Sequence, residues 1–509
     1  MTSEQLERLD SCYFKYDISQ KCSEELIDAR KLICPQRFDL YANLLYIDHK
    51  VRGVKDMSYA FSVYKERTRA ISEYTMKEPG NEDKDSFAKF VEVFDQLIDD
   101  AKAQRFNPDR TLIPVDKNYI LLDGSHRASC AAYFGLTVKV LKFEDVDITH
   151  MSSDYLRKWM CPEYTLDAMA LEACNWHEDL YMLFFWPKSF LQPEVLENAY
   201  KYVQEKSYVV YKKTCKLSYN AIRNIMIQIY SHMDWVGNIE NNFKSTFVKA
   251  DEVWDNNGKC GFFLIQAPSC EYVQEMKKEI REMFGVGLAS LHSTDNMRET
   301  RIAADEIFNP NSLAFLNASK PTKFKRSYQM VEQFKQTLED NHRDINNYII
   351  DSSMILAIYG IRSAADLDYY TIDEENVYFG ENSGIERHNS LQMSYYDNKI
   401  LDLIASPKNY FKYNELKFVC LDKLLQFKKR RYSDSHDIKD KNDIVLINKA
   451  ISQSNNKLHT FFNVSSIIIQ RQFRILIKTC YDYRRKILKA LYLYEPLRNL
   501  KKTLIEKGK

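Results

Sequence analysis

The run Tyr348-Ile349-Ile350-Asp351-Ser352-Ser353, continued by residues 354–360 and 361–370, constrains this chain more than any other stretch. It reads as a short apolar strand, a turn of two serines, an apolar helix and a second strand carrying carboxylates at alternate positions. Side chains two apart on a strand point to the same face, so Asp366 and Asp368 aim together. Two anions held that close repel unless a cation lies between them, and a hard divalent ion with oxygen ligands suits the task. Ser352 and Ser353 open the intervening helix, where N–H groups without helical partners and the positive dipole end attract phosphate. A metal beside a phosphate cradle indicates a nucleotide or phosphoryl site.

This layout resembles the active site of the nucleotidyltransferase (polymerase-beta-like) superfamily. Its pattern is a small Gly-Ser or Ser-Ser turn, about a dozen residues, then Asp-hydrophobic-Asp. Ser352-Ser353 stands for the turn, and Asp366-Leu367-Asp368 for the metal-binding pair. Many members carry Gly where this chain has Ser352. The resemblance implies Mg²⁺ (or Mn²⁺) on Asp366 and Asp368, and a third carboxylate on a neighbouring strand. Asp373, Glu374, Glu386, Asp397 and Asp402 all stand open for that role, and the polar stretch Ile385-Glu386-Arg387-His388-Asn389-Ser390 is suited to line the same cleft.

A chain of 509 residues exceeds one ordinary core. With 45% hydrophobic residues and only 13 Gly and 12 Pro, it has the makings of an ordered protein rather than a linker-rich one. A formal charge of +1 gives no global field to recruit nucleic acid. The 11 cysteines show no Cys-x-x-Cys pair, which disfavours a zinc ribbon or a disulfide framework and fits a reducing cytoplasm. The start, Met1-Thr2-Ser3-Glu4-Gln5, lacks the basic and apolar regions of a signal peptide. No run of about 18 apolar residues is present to span a membrane.

In the N-terminal third, residues 38–47 read as a strand and residues 86–103 as an amphipathic helix. The apolar run Tyr119-Ile120-Leu121-Leu122 reads as a strand ending in Asp123-Gly124-Ser125-His126-Arg127. A helix follows, with Gly135 as its cap, then the strand Thr137-Val138-Lys139-Val140-Leu141. A tight turn bearing Gly, a hydroxyl, His and Arg is equipped for polyphosphate, because Gly124 permits close approach and Arg127 offers a charged fork. The turn resembles the signature of the ParB/sulfiredoxin superfamily, over residues 36–150. That resemblance implies ATP or CTP at the turn, with Ser125, His126 and Arg127 on phosphates and Asp123 positioning the turn or a magnesium ion. The sulfiredoxin version has cysteine where this chain has Ser125, so sulfinic acid reduction is not expected. The DNA-partitioning version carries a helix-turn-helix domain that this chain lacks. A kinase would need a catalytic acid, for which Asp48, Glu78 and Glu82 stand open.

Residues 151–206 read as helical, with Trp159, Trp176 and Trp186 packing between domains. Beyond them lie a buried strand at 261–265, a helix at 271–284 and the cluster His292-Ser293-Thr294-Asp295. Thr294 or Asp295 suits an N-cap, while His292 and Asp295 are candidates to bind substrate. Residues 290–312, taken with the serine turn, resemble surface-polysaccharide synthesis proteins in overall pattern. Residues 416–428 and 439–444 resemble the strand–helix element after a nucleotidyltransferase core, which implies Lys428 near substrate. For Lys439 and Asp443 an exposed ion pair at (i, i+4) is the competing reading. The tail from 461 to 509 is basic, and Leu476, Cys480, Tyr483, Ile487, Leu491 and Tyr494 recur at helical spacing. Such a helix suits packing on the protein or an anionic membrane surface, with RNA a third option that no aromatic-basic recognition module accompanies.

The sequence therefore points to a cytoplasmic α/β (α+β multidomain) enzyme, peripheral at the inner membrane surface if the tail binds lipid. Its parts are a helical lead-in (1–35), a ParB/sulfiredoxin-like nucleotide-binding domain (36–150), a helical connector (151–206), a mixed α/β accessory domain (207–330), a nucleotidyltransferase-like domain with a mixed sheet (331–455) and basic helices (456–509). The expected activity is metal-dependent phosphoryl or nucleotidyl transfer from a nucleoside triphosphate to a sugar, polyol or glycan acceptor, with kinase chemistry open to the N-terminal domain. The rivals are a nucleotide-gated binding module without turnover, a ParB-like nuclease or nucleic-acid modifier, and a nucleotidyltransferase toxin.

Overall fold

Short apolar runs rich in aromatic and branched residues supply the central strands, because such side chains fit a pleated, buried surface. Three sheets result among the described residues. β1 (Cys22–Asp28), β2 (Ile113–Val115) and β3 (Thr137–Phe143) form the first, in the order β1-β3-β2. β4 (Leu180–Phe185), β5 (Tyr208–Lys216), β6 (Lys259–Gln266) and β7 (Leu291–Ser293) form the second, in the order β5-β6-β4-β7 with every pair antiparallel. β8 (Tyr348–Asp351), β9 (Leu367–Thr371), β10 (Ile385–Arg387), β11 (Tyr410–Tyr413) and β12 (Leu416–Val419) form the third, a mixed sheet ordered β10-β9-β8-β12-β11. The computed structural model describes residues 2–9, 20–78, 84–109, 112–146, 150–231 and 233–454, and beyond them residues 472, 476–477, 479–480, 483–484 and 486–487. Residues 1–454 make one compact unit and residues 455–509 a second.

Amphipathic runs become the covering helices. Phe87–Lys102 buries Phe90, Phe94, Ile98 and Ala101, and Cys270–Phe284 buries Val273, Met276, Ile280 and Phe284, each on the stripe that helical periodicity demands. One hydrophobic core runs from Ile27 to Leu316 and spans the first two sheets. Another, from Ile227 to Ile447, surrounds the third.

Several expectations change. The run at 38–47 is helical from Leu40 onward, within Leu40–Arg52, and every residue from Leu40 to Ile47 is buried. A helix buried all round shows no stripe, so its apolar run looks like a strand. The lead-in contains β1, a strand with charged residues facing solvent that pairs antiparallel with β3. Backbone pairing defines it, and no side-chain pattern announces it. Residues 119–122 make only a bridge between Leu121 and Val115. The stretch read as a helical connector contains β4, which lies between β6 and β7 in the middle of a sheet. The boundary at 206 therefore falls inside one sheet.

Among the described residues no helix is long and apolar enough to cross a membrane. In the tail, Leu476, Cys480, Tyr483 and Ile487 are helical and exposed. Leu491, Tyr494 and most of the basic residues lie outside the described residues.

Candidate functional site

β8 and β9 are antiparallel neighbours with Asp351 opposite Asp368. Continued past the strand ends, that register sets Ser353 opposite Asp366, and Ser353 Oγ donates to Asp366 Oδ1 at 3.0 Å. Asp351 and Asp368 are directly paired and lie on one side, Asp366 stands two residues before Asp368, and Ser353 joins them through its bond to Asp366. β10 runs parallel to β9 with Glu386 in register with Asp368. Of the carboxylates open for a third role, Glu386 is the one on the neighbouring strand. Asp402 instead accepts the backbone N–H groups of Lys55, Asp56 and Lys399. Asp397 pairs with Arg430 at 2.6 Å, and Asp373 accepts from Asn347 at 2.8 Å.

The turn itself is unusual. Ser352 has φ +58° and ψ −133°, a region that favours glycine and costs an L-residue about 1–3 kcal/mol. Its Oγ is buried without a partner among the described residues. The helix it precedes, Ser353–Ile358, has all six residues buried. A helix that short would not persist in water, so burial of Met354, Ile355, Leu356 and Ile358, worth about 2 kcal/mol for each large side chain, holds it and the strained turn in place.

Two more groups complete the site: Asp351, to which the sequence reading gave no role, and His388, from the polar stretch expected to line the cleft. Asp351 is fully buried and accepts from Tyr396 Oη at 2.7 Å. His388, just past β10, stands with Nδ1 3.6 Å from Asp351 Oδ2 and Nε2 3.3 Å from Asp368 Oδ1. Burial opposes a charged imidazole here, but the flanking carboxylates of Asp351 and Asp368 outweigh it and lift His388 to about 9. The imidazolium therefore neutralises part of the carboxylate row. Asp351 was legible as the residue directly before the serine turn. The approach of His388 depends on the β9–β10 pairing.

The implied Mg²⁺ or Mn²⁺ can be tested against these residues. Among the described residues no group of three or more His, Cys, Asp or Glu is arranged to hold a metal. Asp366 and Asp368, on one face beside a serine hydroxyl, form a two-carboxylate oxygen set. That set fits Mg²⁺, which keeps several waters and takes phosphate oxygens as its remaining ligands.

The second candidate, the turn at 123–127, opens the helix Ser125–Tyr133, with Gly124 in the left-handed conformation at φ +81°. Behind it, the buried carboxylate of Asp39 accepts from Arg37 Nε at 2.8 Å and Nη2 at 2.9 Å, and from Arg67 Nη2 at 2.8 Å. Arg67 Nη2 also donates to Ser125 Oγ at 3.1 Å. Burial disfavours the Asp39 anion, but the two guanidinium groups outweigh it and hold Asp39 below the usual carboxylate range. Two arginines against one aspartate leave net positive charge beneath the helix start, where an anion is favoured.

Asp123, Gly124, Ser125, His126 and Arg127 line a cavity of 500 Å³ that Lys84, Arg105 and Glu78 also line. His126 faces inward: its Nε2 lies 2.8 Å from Tyr64 Oη, and its ring is 4.4 Å from Phe94. Burial, aided by Lys84 and Arg67, keeps it neutral, well below the usual histidine range. Of the candidate acids, Glu78 pairs with Lys84 at 2.7 Å beside this cavity, Asp48 accepts from Arg52 and Tyr133 elsewhere, and Glu82 lies outside the described residues.

Three remaining candidates are engaged in structure. His292 on β7 is 6% exposed and meets Tyr230 Oη at 2.8 Å. Asp295 accepts from Gln274 and lies 3.7 Å from Lys277. The N-cap of the following helix is Asn296 rather than Thr294 or Asp295, since Thr294 is turned inward to Met182 N and Thr300. Lys428, expected near substrate, is 1% exposed and lies 3.0 Å from both Asp440 and Asp443. Asp443 also accepts from Arg362 at 2.7 Å, so it faces the interior rather than an exposed pair with Lys439. Spacing along one helix could not show this, because the acids meet Lys428 across the contact of Leu421–Ser435 with Ile438–Ser454. The chain matches no family model, no curated protein and no solved structure.

Proposed function

We propose that the chain is a metal-dependent phosphoryl- or nucleotidyl-transferase with a nucleotide-binding turn at 123–127, acting on a sugar, polyol or glycan hydroxyl. The observation that carries this reading is the bond of Ser353 to Asp366, two residues before Asp368, beside Ser352, whose backbone takes the glycine-like conformation. In this reading Asp366 and Asp368 would hold Mg²⁺ or Mn²⁺, which when bound supplies neutralisation of phosphate charge and a more acidic acceptor hydroxyl. Ser352 and Ser353 would hold phosphate oxygens, and Glu386, in register with Asp368, would be the candidate for a third carboxylate. His388, backed by buried Asp351, keeps Asp368 oriented. At the other turn, Arg127 with Lys84 and Arg105 would receive the phosphates of ATP or CTP, and kinase activity there is part of the proposal. A peripheral membrane contact through the tail and a cytoplasmic setting complete it.

One observation favours a second reading. His388 already supplies a cation to Asp368, which suits a module that binds nucleotide without turning it over. A screen of nucleoside triphosphates with magnesium, read by thermal stabilisation and by hydrolysis, separates the two. Run on wild type, Asp368→Ala and Arg127→Ala, it reports on each turn alone. Turnover lost in Asp368→Ala supports the transferase. Tight binding with no turnover of any triphosphate supports the gated module.

A further inference from the structure

The helix Cys270–Phe284 buries its own apolar stripe, but the loop after it leaves apolar side chains outside. Gly285 ends the helix in the left-handed conformation, and Gly287, also at positive φ, opens the short turn Gly287–Ala289. Val286 and Leu288 alternate with these glycines and are 40% and 56% exposed. A Cβ added at Gly285 or Gly287 would meet nothing within 4 Å, so the loop stands clear of its neighbours. Met283, one residue before the helix ends, is exposed as well. The helix Ser245–Val253 contacts the Gly287–Ala289 turn and adds Val248, 61% exposed. Exposed aliphatic groups gathered in this way mark an interaction surface.

Beside the loop lies a hollow of 340 Å³ with no large apolar side chain in its wall. Gln274, Lys277, Lys278, Arg281, Glu282 and Gly287 line it. Three cations there stand against one carboxylate, Glu282. Lys277 has Asp295 at 3.7 Å. Arg281 donates from Nε and Nη2 to the Leu291 carbonyl oxygen, at 3.0 and 2.8 Å, which is a neutral acceptor. Among the described residues neither Arg281 nor Lys278 forms an ion pair with a carboxylate. The other acids of the helix, Glu271, Glu275 and Glu279, do not line the hollow. Lys249, on the neighbouring helix, is matched by Glu252 at 2.9 Å. Positive charge is therefore left over in the hollow, where an anion is favoured.

The two features adjoin, because Gly287 lines the hollow while Val286 and Leu288 on either side of it are exposed. Their arrangement selects the partner. A peptide's apolar anchor needs a concave apolar pocket, and this hollow is polar. Nucleic-acid phosphates would use the cations, but valine and leucine give bases no aromatic face to stack on. A bilayer of anionic phospholipid uses both parts, its headgroup phosphates at the cations and its acyl boundary around the aliphatic side chains.

We propose that the hollow and residues 283–288 form a docking surface for an anionic phospholipid bilayer. Lys277, Lys278 and Arg281 receive headgroup phosphate, and Val286 and Leu288 enter the acyl boundary. The surface belongs to the unit of residues 1–454, and it rests neither on the basic tail nor on the transferase reading.

Vesicle sedimentation of the full chain tests it. The chain should sediment with vesicles in which about a third of the lipid is phosphatidylglycerol, and not with pure phosphatidylcholine. Leu288→Glu removes the aliphatic tip and Lys278→Glu reverses a cation, both at exposed positions. Each should weaken the partition about tenfold or more, with circular dichroism melts that match wild type. The proposal is overturned if the anionic vesicles capture no protein, or if neutral vesicles capture as much. It is also overturned if either folded variant partitions like wild type, which would assign capture to another surface such as the tail. Single-stranded RNA is the control for the rival partner: binding to it that Lys278→Glu abolishes, with vesicle capture intact, gives the hollow to nucleic acid instead.

Discussion

Two turns in this molecule place a small residue before a helix, and each keeps a histidine close by, yet the histidines end in opposite charge states. His126 is buried against Tyr64 and Phe94 and stays neutral. His388 is also mostly buried, but Asp351 and Asp368 flank it and hold it charged. Burial disfavours charge at both. The presence or absence of carboxylates decides the outcome. The backbones differ as well: Gly124 takes its left-handed conformation at no steric cost, while Ser352 takes a glycine-like one under strain. Strain and paired carboxylates concentrate at the second turn, which is where chemistry is proposed. The first offers fixed positive charge, which is what binding needs.

The largest expected effect separates the two turns by activity. Asp368→Ala lowers magnesium-dependent turnover by about 10³-fold or more, while Arg127→Ala weakens nucleotide binding about tenfold. Rates and titration calorimetry on the two variants check this, and equal losses of turnover in both would merge the turns into one site.

The histidines give stability effects of opposite sign. His388 has its pKa raised by folding, so its stabilisation is complete below the unfolded value near 6.5 and is lost as pH rises through about 9. In metal-free buffer, His388→Gln should cost on the order of 3 kcal/mol at pH 6 and almost nothing at pH 10. A penalty independent of pH would deny the imidazolium.

His126 works the other way. Its pKa is lowered by folding, so the unfolded chain takes up a proton that the native state refuses, and stability falls as pH drops below about 6.5. Denaturant melts of His126→Phe should show a flatter acid limb than wild type.

The smallest effects test the backbones. Ser352→Gly should relieve strain and stabilise the fold by about 1 kcal/mol. Gly124→Ala should destabilise it by a similar ~1 kcal/mol, since an added Cβ would also meet Arg127 Nη2 at 3.1 Å. Thermal denaturation of the pair measures both, and equal signs would end the contrast.

Much of the third sheet was legible. Tyr348–Asp351 is a strand, the serines turn, the helix follows, and Leu367–Thr371 returns as the second strand. An apolar run cut by a polar pair, then alternation, leaves few other foldings. The helix at Leu40–Arg52 was misread as a strand because burial on every side erased its period, and β1 was missed because only its backbone is recruited. Lys428 looked available because one helix was considered without the other.

The amino-acid order by itself determined the elements whose pattern is local: the amphipathic helices, the buried strands at 261–265 and 348–351, the serine turn and the alternation of Asp366 and Asp368. Tertiary structure alone decided which groups meet across the chain. It set Asp351 opposite Asp368, carried His388 between them and turned His126 into an aromatic nest. The physical reason is range. Backbone propensity and periodicity act over a few residues, whereas charge state and hydrogen-bond partnership are set by whatever packing brings within a few ångströms.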